Sequence, residues 1–253
     1  MNQHNLLLSL LAITALAGCK ENAPAAKEAT PAAQPSAATP ADTPAKAAEA
    51  KAERPLEELR PELLDPAAVA AKTPAVPDVF RVRFHTTKGD FVVEARKEWA
   101  PRGAERFYQL VYGGFFTDVA FFRAIQGFMV QFGINGSPAV AQAWKEAVFP
   151  DDPVKQENRR GMISFATSGP NSRTTQMFIN FVDNLRLDEM GFAPFAKVVE
   201  GMDVVDSLYT GYGEGVPAGR GPSQGRIHAE GNAFLRKAYP ELDYIKSATI
   251  LGD

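Results

Sequence analysis

A mainly β fold, built from many short strands closed into a barrel, is what this sequence predicts. Three observations carry that expectation. Short runs alternate apolar and polar residues with the period of two that turns one face of a strand inward. Loops rich in Gly, Pro and Asn, such as 168–175, punctuate those runs. Helical spacing is plain in only two stretches of the same region, too few to supply the crossovers that a parallel sheet needs.

In chain order, Phe80, Val82 and Phe84 alternate with Arg81, Arg83 and His85, which makes a strand. Lys88-Gly89-Asp90 turns the chain, and Phe91, Val93 and Ala95 continue on a second strand, so 79–96 reads as a hairpin. Pro101 suits the first turn of a helix, where its missing N–H costs nothing. Ala104, Phe107, Leu110 and Val111 then share one helical face until Gly113-Gly114 stops it. Apolar runs at 119–125 and 128–133 follow, then a pair at 161–167 and 176–182. Phe195–Val199 is a further strand, Gly201–Leu208 a short helix with Met202, Val205 and Leu208 inward, and Tyr244–Leu251 a last strand. Between them, 209–243 holds a Gly-rich loop and a helical stretch over Ala229–Tyr239. No strand–loop–helix spacing of a phosphate loop is present, so this segment reads as a structural insertion.

The 253 residues carry 27 Lys and Arg against 30 Asp and Glu without a basic block, so nucleic acid is not an expected partner. His4, His85 and His228 lie far apart and give no metal-ligand spacing, and neither a metal nor a cofactor is expected. The single cysteine, Cys19, excludes an intramolecular disulfide. Leu6–Leu16 is an apolar run that suits a signal-peptide core and is short for a bilayer span. It ends in Leu16-Ala17-Gly18-Cys19, which resembles the bacterial lipoprotein box. That resemblance implies cleavage before Cys19, lipid on its thiol, and a membrane-anchored protein in the periplasm or at the cell surface. Lys20 rather than Asp after the cysteine points, by the same resemblance, to the outer membrane of a Gram-negative cell. Residues 1–18 are thus read as signal peptide. Residues 19–72 are read as an Ala/Pro-rich, disordered tether with short helices broken at Pro61 and Pro66, and 73–253 as the folded domain. Aromatic residues begin only at Phe80, and a segment without large apolar side chains cannot offset the entropy of ordering itself.

The strand region contains ordered motifs. Ala100-Pro101, Phe107 and Gly114-Phe115-Phe116 resemble the first helix and following turn of cyclophilins. Phe121-Phe122-Arg123-Ala124-Ile125-Gln126-Gly127-Phe128-Met129-Val130-Gln131-Phe132-Gly133 is similar to the central signature of that family. Ile163 to Ile179, containing Phe165-Ala166-Thr167 and Gln176-Met177-Phe178, resembles the second signature. Leu187-Asp188 with Phe195 to Val205 resembles the third. The resemblance implies an eight-stranded antiparallel barrel capped by two helices, with a groove on its outer face. It implies a peptidyl-prolyl cis-trans isomerase, a monomer acting on proline-containing polypeptides, here extracytoplasmic ones.

The residue types suit that chemistry. Amide resonance sets a barrier of about 18–20 kcal/mol to rotation about a peptide bond. Before proline the two isomers lie close in energy but exchange over tens to hundreds of seconds. A catalyst needs no nucleophile. It must hold the proline ring and stabilise a twisted amide whose nitrogen has regained its lone pair. A guanidinium donates hydrogen bonds and keeps its charge, and Arg123 sits where the family keeps its arginine. By the same resemblance Gln131 positions substrate and arginine. Phe128, Met129, Phe178, Leu187 and Phe192 wall the proline pocket, and Ala166, Thr167 and Gln176 line the peptide path. Phe122, Gln126, Phe132 and Arg186 depart from the usual His, Pro, Gly and Trp, and a pocket His is missing near Phe192. Those departures leave a rival reading, a tethered module that binds proline without catalysis. A structural envelope protein is a weaker third, supported by the tether alone.

Overall fold

The hairpin read from the sequence forms as β1 (Val79–Thr86) and β2 (Asp90–Arg96), antiparallel with Phe84 opposite Phe91. The computed structural model describes residues 60–252; the stretch read as a signal peptide, Cys19, and the stretch read as a tether as far as residue 59 lie outside the described residues. Seven further strands follow: β3 (Val119–Ala120), β4 (Arg123–Ile125), β5 (Met129–Phe132), β6 (Met162–Phe165), β7 (Met177–Asn180), β8 (Pro194–Glu200) and β9 (Tyr244–Leu251). They build one curled antiparallel sheet in the order β3-β9-β1-β2-β8-β6-β7-β5-β4.

The sheet is an open half-barrel of nine strands, which corrects the expected closed barrel of eight. Its edges, β3 and β4, are consecutive in the chain and do not pair with each other. They are two and three residues long, and each pairs on one side only, β3 with β9 and β4 with β5. The two residues between them close the seam with side chains instead: Phe121 enters the main core and Phe122 a second apolar cluster.

Among the described residues six helices accompany the sheet: α1 (Pro66–Lys72), α2 (Pro101–Gly113), α3 (Pro138–Lys145), α4 (Arg186–Glu189), α5 (Met202–Asp206) and α6 (Gln224–Ala238). α2 brings Phe107 against Phe195 at 5.2 Å and ends at Gly114, whose φ of +77° is the left-handed cap that glycine adopts freely. α3 was not read from the sequence; Pro138 opens it, the Ser137 hydroxyl caps Val140 N–H, and Trp144 goes inward.

Residues 61–72, assigned above to the tether, are part of the fold. Leu63, in a 3-10 turn at Pro61–Leu64, and Val69 of α1 are buried in the main core. Trp144 Nε1 donates to the Leu63 carbonyl at 2.9 Å. Gly113 makes the approach possible, since a Cβ there would meet Val69 Cγ1 at 3.0 Å. The segment 209–243 is equally integral. Its Ile227, Phe234, Leu235 and Leu242 form the second cluster with Ala120, Phe122, Ile134 and Ala141. Asn232 N–H donates to the Gly136 carbonyl at 2.9 Å, across a kink at Gly231 where any Cβ would strike that same oxygen.

Candidate active site

Period two sorts the side chains of β4, β5 and β7 between core and outer face. Ala124, Val130, Phe132, Met177 and Ile179 turn into the core. Arg123, Met129, Gln131 and Phe178 therefore share the opposite face. The register sets Arg123 opposite Gln131, Ile125 opposite Met129, and Gln131 opposite Phe178. Arg123, Met129, Gln131 and Phe178 line a groove of about 530 Å³ together with Phe128, Ala166, Thr167, Leu187 and Phe192, so nine of the ten protein-site candidates meet there. The tenth, Gln176, lines an adjoining groove of about 410 Å³ that shares Gln131, Ala166 and Thr167. Cys19 is outside the described residues.

The floor is apolar. Met129, Phe178 and Leu187 are buried, and Ile125, Phe128, Ala166 and Phe192 pack on them half-exposed. Phe192 stands edge-on to Phe178 at 5.5 Å and lines the groove. A buried amide network supports that wall from behind. Asn158 Nδ2 donates to Asp188 Oδ1 and to the Phe192 carbonyl, both at 2.7 Å, while its Oδ1 accepts from Ser164 Oγ at 2.8 Å. Asn184 Nδ2 donates to the Phe128 carbonyl at 2.9 Å and to Asn180 Oδ1 at 2.8 Å. The Thr167 hydroxyl is committed to its own loop, bonded to the Gly169 carbonyl and to Ser172 Oγ.

Arg123 stands at the edge of this floor. Its Nη1 donates to Gln131 Oε1 at 2.9 Å, and Gln131 Nε2 donates in turn to Gln176 Oε1 at 2.8 Å. The other edge of the fork is held by Glu214, with Nε to Oε1 and Nη2 to Oε2 both at 2.6 Å. The Arg123 hydrogen bonds hold the Glu214 carboxyl below its usual range. Glu214 was not among the sequence candidates; it belongs to 209–243, and no motif marks it. Arg186, exposed at the rim, lies over the Phe128 ring at 5.6 Å. The departure at Phe122 also finds its reason here: it packs under α6, so the substitution and the extra segment form one unit.

An apolar floor, a guanidinium at its edge and polar side chains along the strand suit the holding of a small ring beside a fixed hydrogen-bond donor. Comparison with known proteins agrees. The family model described as cyclophilin type peptidyl-prolyl cis-trans isomerase/CLD matches residues 81–227. Peptidyl-prolyl cis-trans isomerase B of Escherichia coli is 38% identical over 148 residues, covering 55% of this chain and 87% of the relative. Peptidyl-prolyl cis-trans isomerase A of Dickeya dadantii is 38% identical over 128 residues, 49% of this chain and 67% of that one. Among solved structures, a cyclophilin type isomerase of Cryptosporidium parvum superposes with a TM-score of 0.52 at 21% identity, over 69% of this chain and 99% of its own. The same protein in the presence of the dipeptide Ala-Pro gives 0.51 at 20% identity, over 68% and 99%. At that identity the structures speak for the fold, and the sequence relatives for the family: this chain belongs to the cyclophilin-type peptidyl-prolyl cis-trans isomerases.

Proposed function

We propose that Arg123 is the electrophile of this isomerase and that the floor of Met129, Phe178 and Leu187, walled by Phe128 and Phe192, receives the proline ring. One observation carries the reading: the guanidinium is fixed by Gln131 at the lip of an otherwise apolar pocket. As the amide twists, resonance is lost and the proline nitrogen becomes a better acceptor. A donor already in place at that moment stabilises the twisted form more than either planar isomer, which lowers the barrier without tightening ground-state binding. NMR exchange on an Ala-Pro peptide tests this. Arg123→Ala should lower kcat/KM by about a hundredfold while the fold survives by circular dichroism. Arg123→Lys should also be impaired, because an ammonium cannot reproduce the planar fork. Full exchange activity in a folded Arg123→Ala protein would overturn the assignment.

We also infer that the enzyme acts as a monomer on polypeptides outside the cytoplasm, tethered by lipid on Cys19. The apolar run Leu6–Leu16 and the tetrapeptide Leu16-Ala17-Gly18-Cys19 support this. Cys19→Ser should move the protein from the membrane fraction to the soluble one and abolish labelled palmitate incorporation. Unchanged retention of that variant, with no label in the parent, argues against the anchor.

A further inference from the structure

The segment 209–243 entered the sequence reading as an insertion without a role, yet it supplies the closest ionic partner of Arg123. The guanidinium has five N–H groups. Glu214 takes one on Nε and one on Nη2, each at 2.6 Å, and Gln131 takes one on Nη1. Nη1 also approaches Met129 Sδ at 3.9 Å, a weak acceptor in the floor of the pocket. Glu214 itself lines the groove, so the fork is gripped on its Nε/Nη2 edge at the wall of the site, while its Nη1 end meets Gln131 and the Met129 sulfur of the floor.

The grip is itself fixed. Glu214 Oε1 accepts from Gly215 N–H at 2.8 Å, and the Glu214 carbonyl accepts from Gly221 N–H at 2.7 Å. Gly213 bridges to Ala124, the residue next to Arg123. Tyr212 is packed edge-on against Tyr209 and Tyr239, each at 5.0 Å, which ties the loop to the second cluster. A carboxylate on a loose loop would add little, because ordering two long side chains offsets the attraction between them. Here the backbone has already placed it.

We propose that Glu214 is a positioning residue of the isomerase: by holding Nε and Nη2 it orients the Arg123 guanidinium with Nη1 toward the proline pocket, so that 209–243 completes the active site. This rests on the reading of Arg123 as electrophile. A brake would have to occupy the N–H groups that substrate needs. The pair occupies Nε and Nη2 and leaves the Nη1 end, which reaches the Met129 sulfur in the pocket floor.

The test compares Glu214→Ala, Glu214→Gln and Arg123→Ala, each in the full chain, by NMR exchange on an Ala-Pro peptide with kcat and KM separated. Glu214→Ala should lower kcat roughly three- to tenfold, short of the hundredfold cost that misplacing a reacting group can reach. KM should stay within about twofold, since the apolar floor is untouched. Glu214→Gln keeps one acceptor and should recover part of the loss. The Arg123 Nε–H resonance should be protected from solvent exchange in the parent and lose that protection in Glu214→Ala. An unchanged kcat in Glu214→Ala, with Arg123→Ala inactive, overturns the positioning role; a raised kcat makes Glu214 a brake and overturns it too. Full activity in Arg123→Ala overturns the electrophile reading itself, whatever Glu214 does. Should Glu214→Ala not fold, an intermediate kcat with parental KM in Glu214→Gln supports the proposal, and a parental kcat overturns it.

Discussion

Leu63→Ala probes whether the stretch before residue 73 is scaffold or leash. Leu63 is fully buried, and the substitution removes three carbons. At about 0.8 kcal/mol per buried methylene the transfer loss is about 2.4 kcal/mol. A cavity cost adds to it, because the surroundings collapse poorly. Gly113 has no side chain to move in, and the Trp144 indole is held to the Leu63 carbonyl at 2.9 Å. The total should fall near 3–4 kcal/mol, inside the usual range for buried Leu→Ala and a large share of a domain stability of about 5–15 kcal/mol. Urea unfolding followed by tryptophan fluorescence reads it directly, since Trp144 is buried against this segment. The midpoint should drop with the slope unchanged. Isomerase activity of the folded fraction should stay near the parental value, because Leu63 lines no part of the groove. A loss below about 1 kcal/mol would mean that the segment does not dock, and the reasoning fails. Cutting the chain at residue 73 should cost at least as much, since it also removes Val69 and leaves the Trp144 N–H without its acceptor.

Two further outcomes follow from the groove and its flank. Asn158→Ala should destabilise the domain by roughly 3 kcal/mol or more, because it takes their buried partner from the Phe192 carbonyl and the Ser164 hydroxyl. It should also weaken peptide binding through Phe192, and a peptide titration showing parental affinity would separate the network from the pocket. Burial, and then Lys145, lower the pKa of His228 from its ordinary 6.5. Below pH 6.5 the unfolded chain therefore takes up a proton that the folded one refuses, and stability falls until the folded pKa is reached. Unfolding measured from pH 8 to 5 should show this slope in the parent and a shallower one in His228→Gln; equal slopes would exclude the effect.

Some of the site was legible because its determinants are contiguous. The alternation of Arg123, Ala124 and Ile125, then of Met129, Val130, Gln131 and Phe132, assigns each side chain to a face before any partner is known. The family signatures lie on those same runs, so the groove residues could be named from the chain alone. α3 was missed although Ser137-Pro138 is a helix-start signal, since eight residues between glycine-rich and acidic segments give too little periodicity to stand out. Phe122 was read as a departure from the catalytic pattern. Its meaning lay in α6, about a hundred residues further on.

By itself, then, the sequence determined the strand faces, the hairpin, the helix at Pro101, the isomerase family and the arginine beside an apolar pocket. All of these rest on local periodicity or on motifs within one stretch. The tertiary structure decided what depends on distant partners. The sheet stays open because β3 and β4 each pair on one side only and not with each other, which a strand count does not reveal. Leu63 and Val69 became core because Gly113 and Trp144 leave room and a donor for them, whereas composition alone classed them with the tether. Glu214 reached Arg123 across 91 residues because a packed loop carries it there. A lone glutamate in a glycine-rich stretch bears no local mark of the charge it will meet, and only the packing of 209–243 on the open edge of the sheet sets that distance.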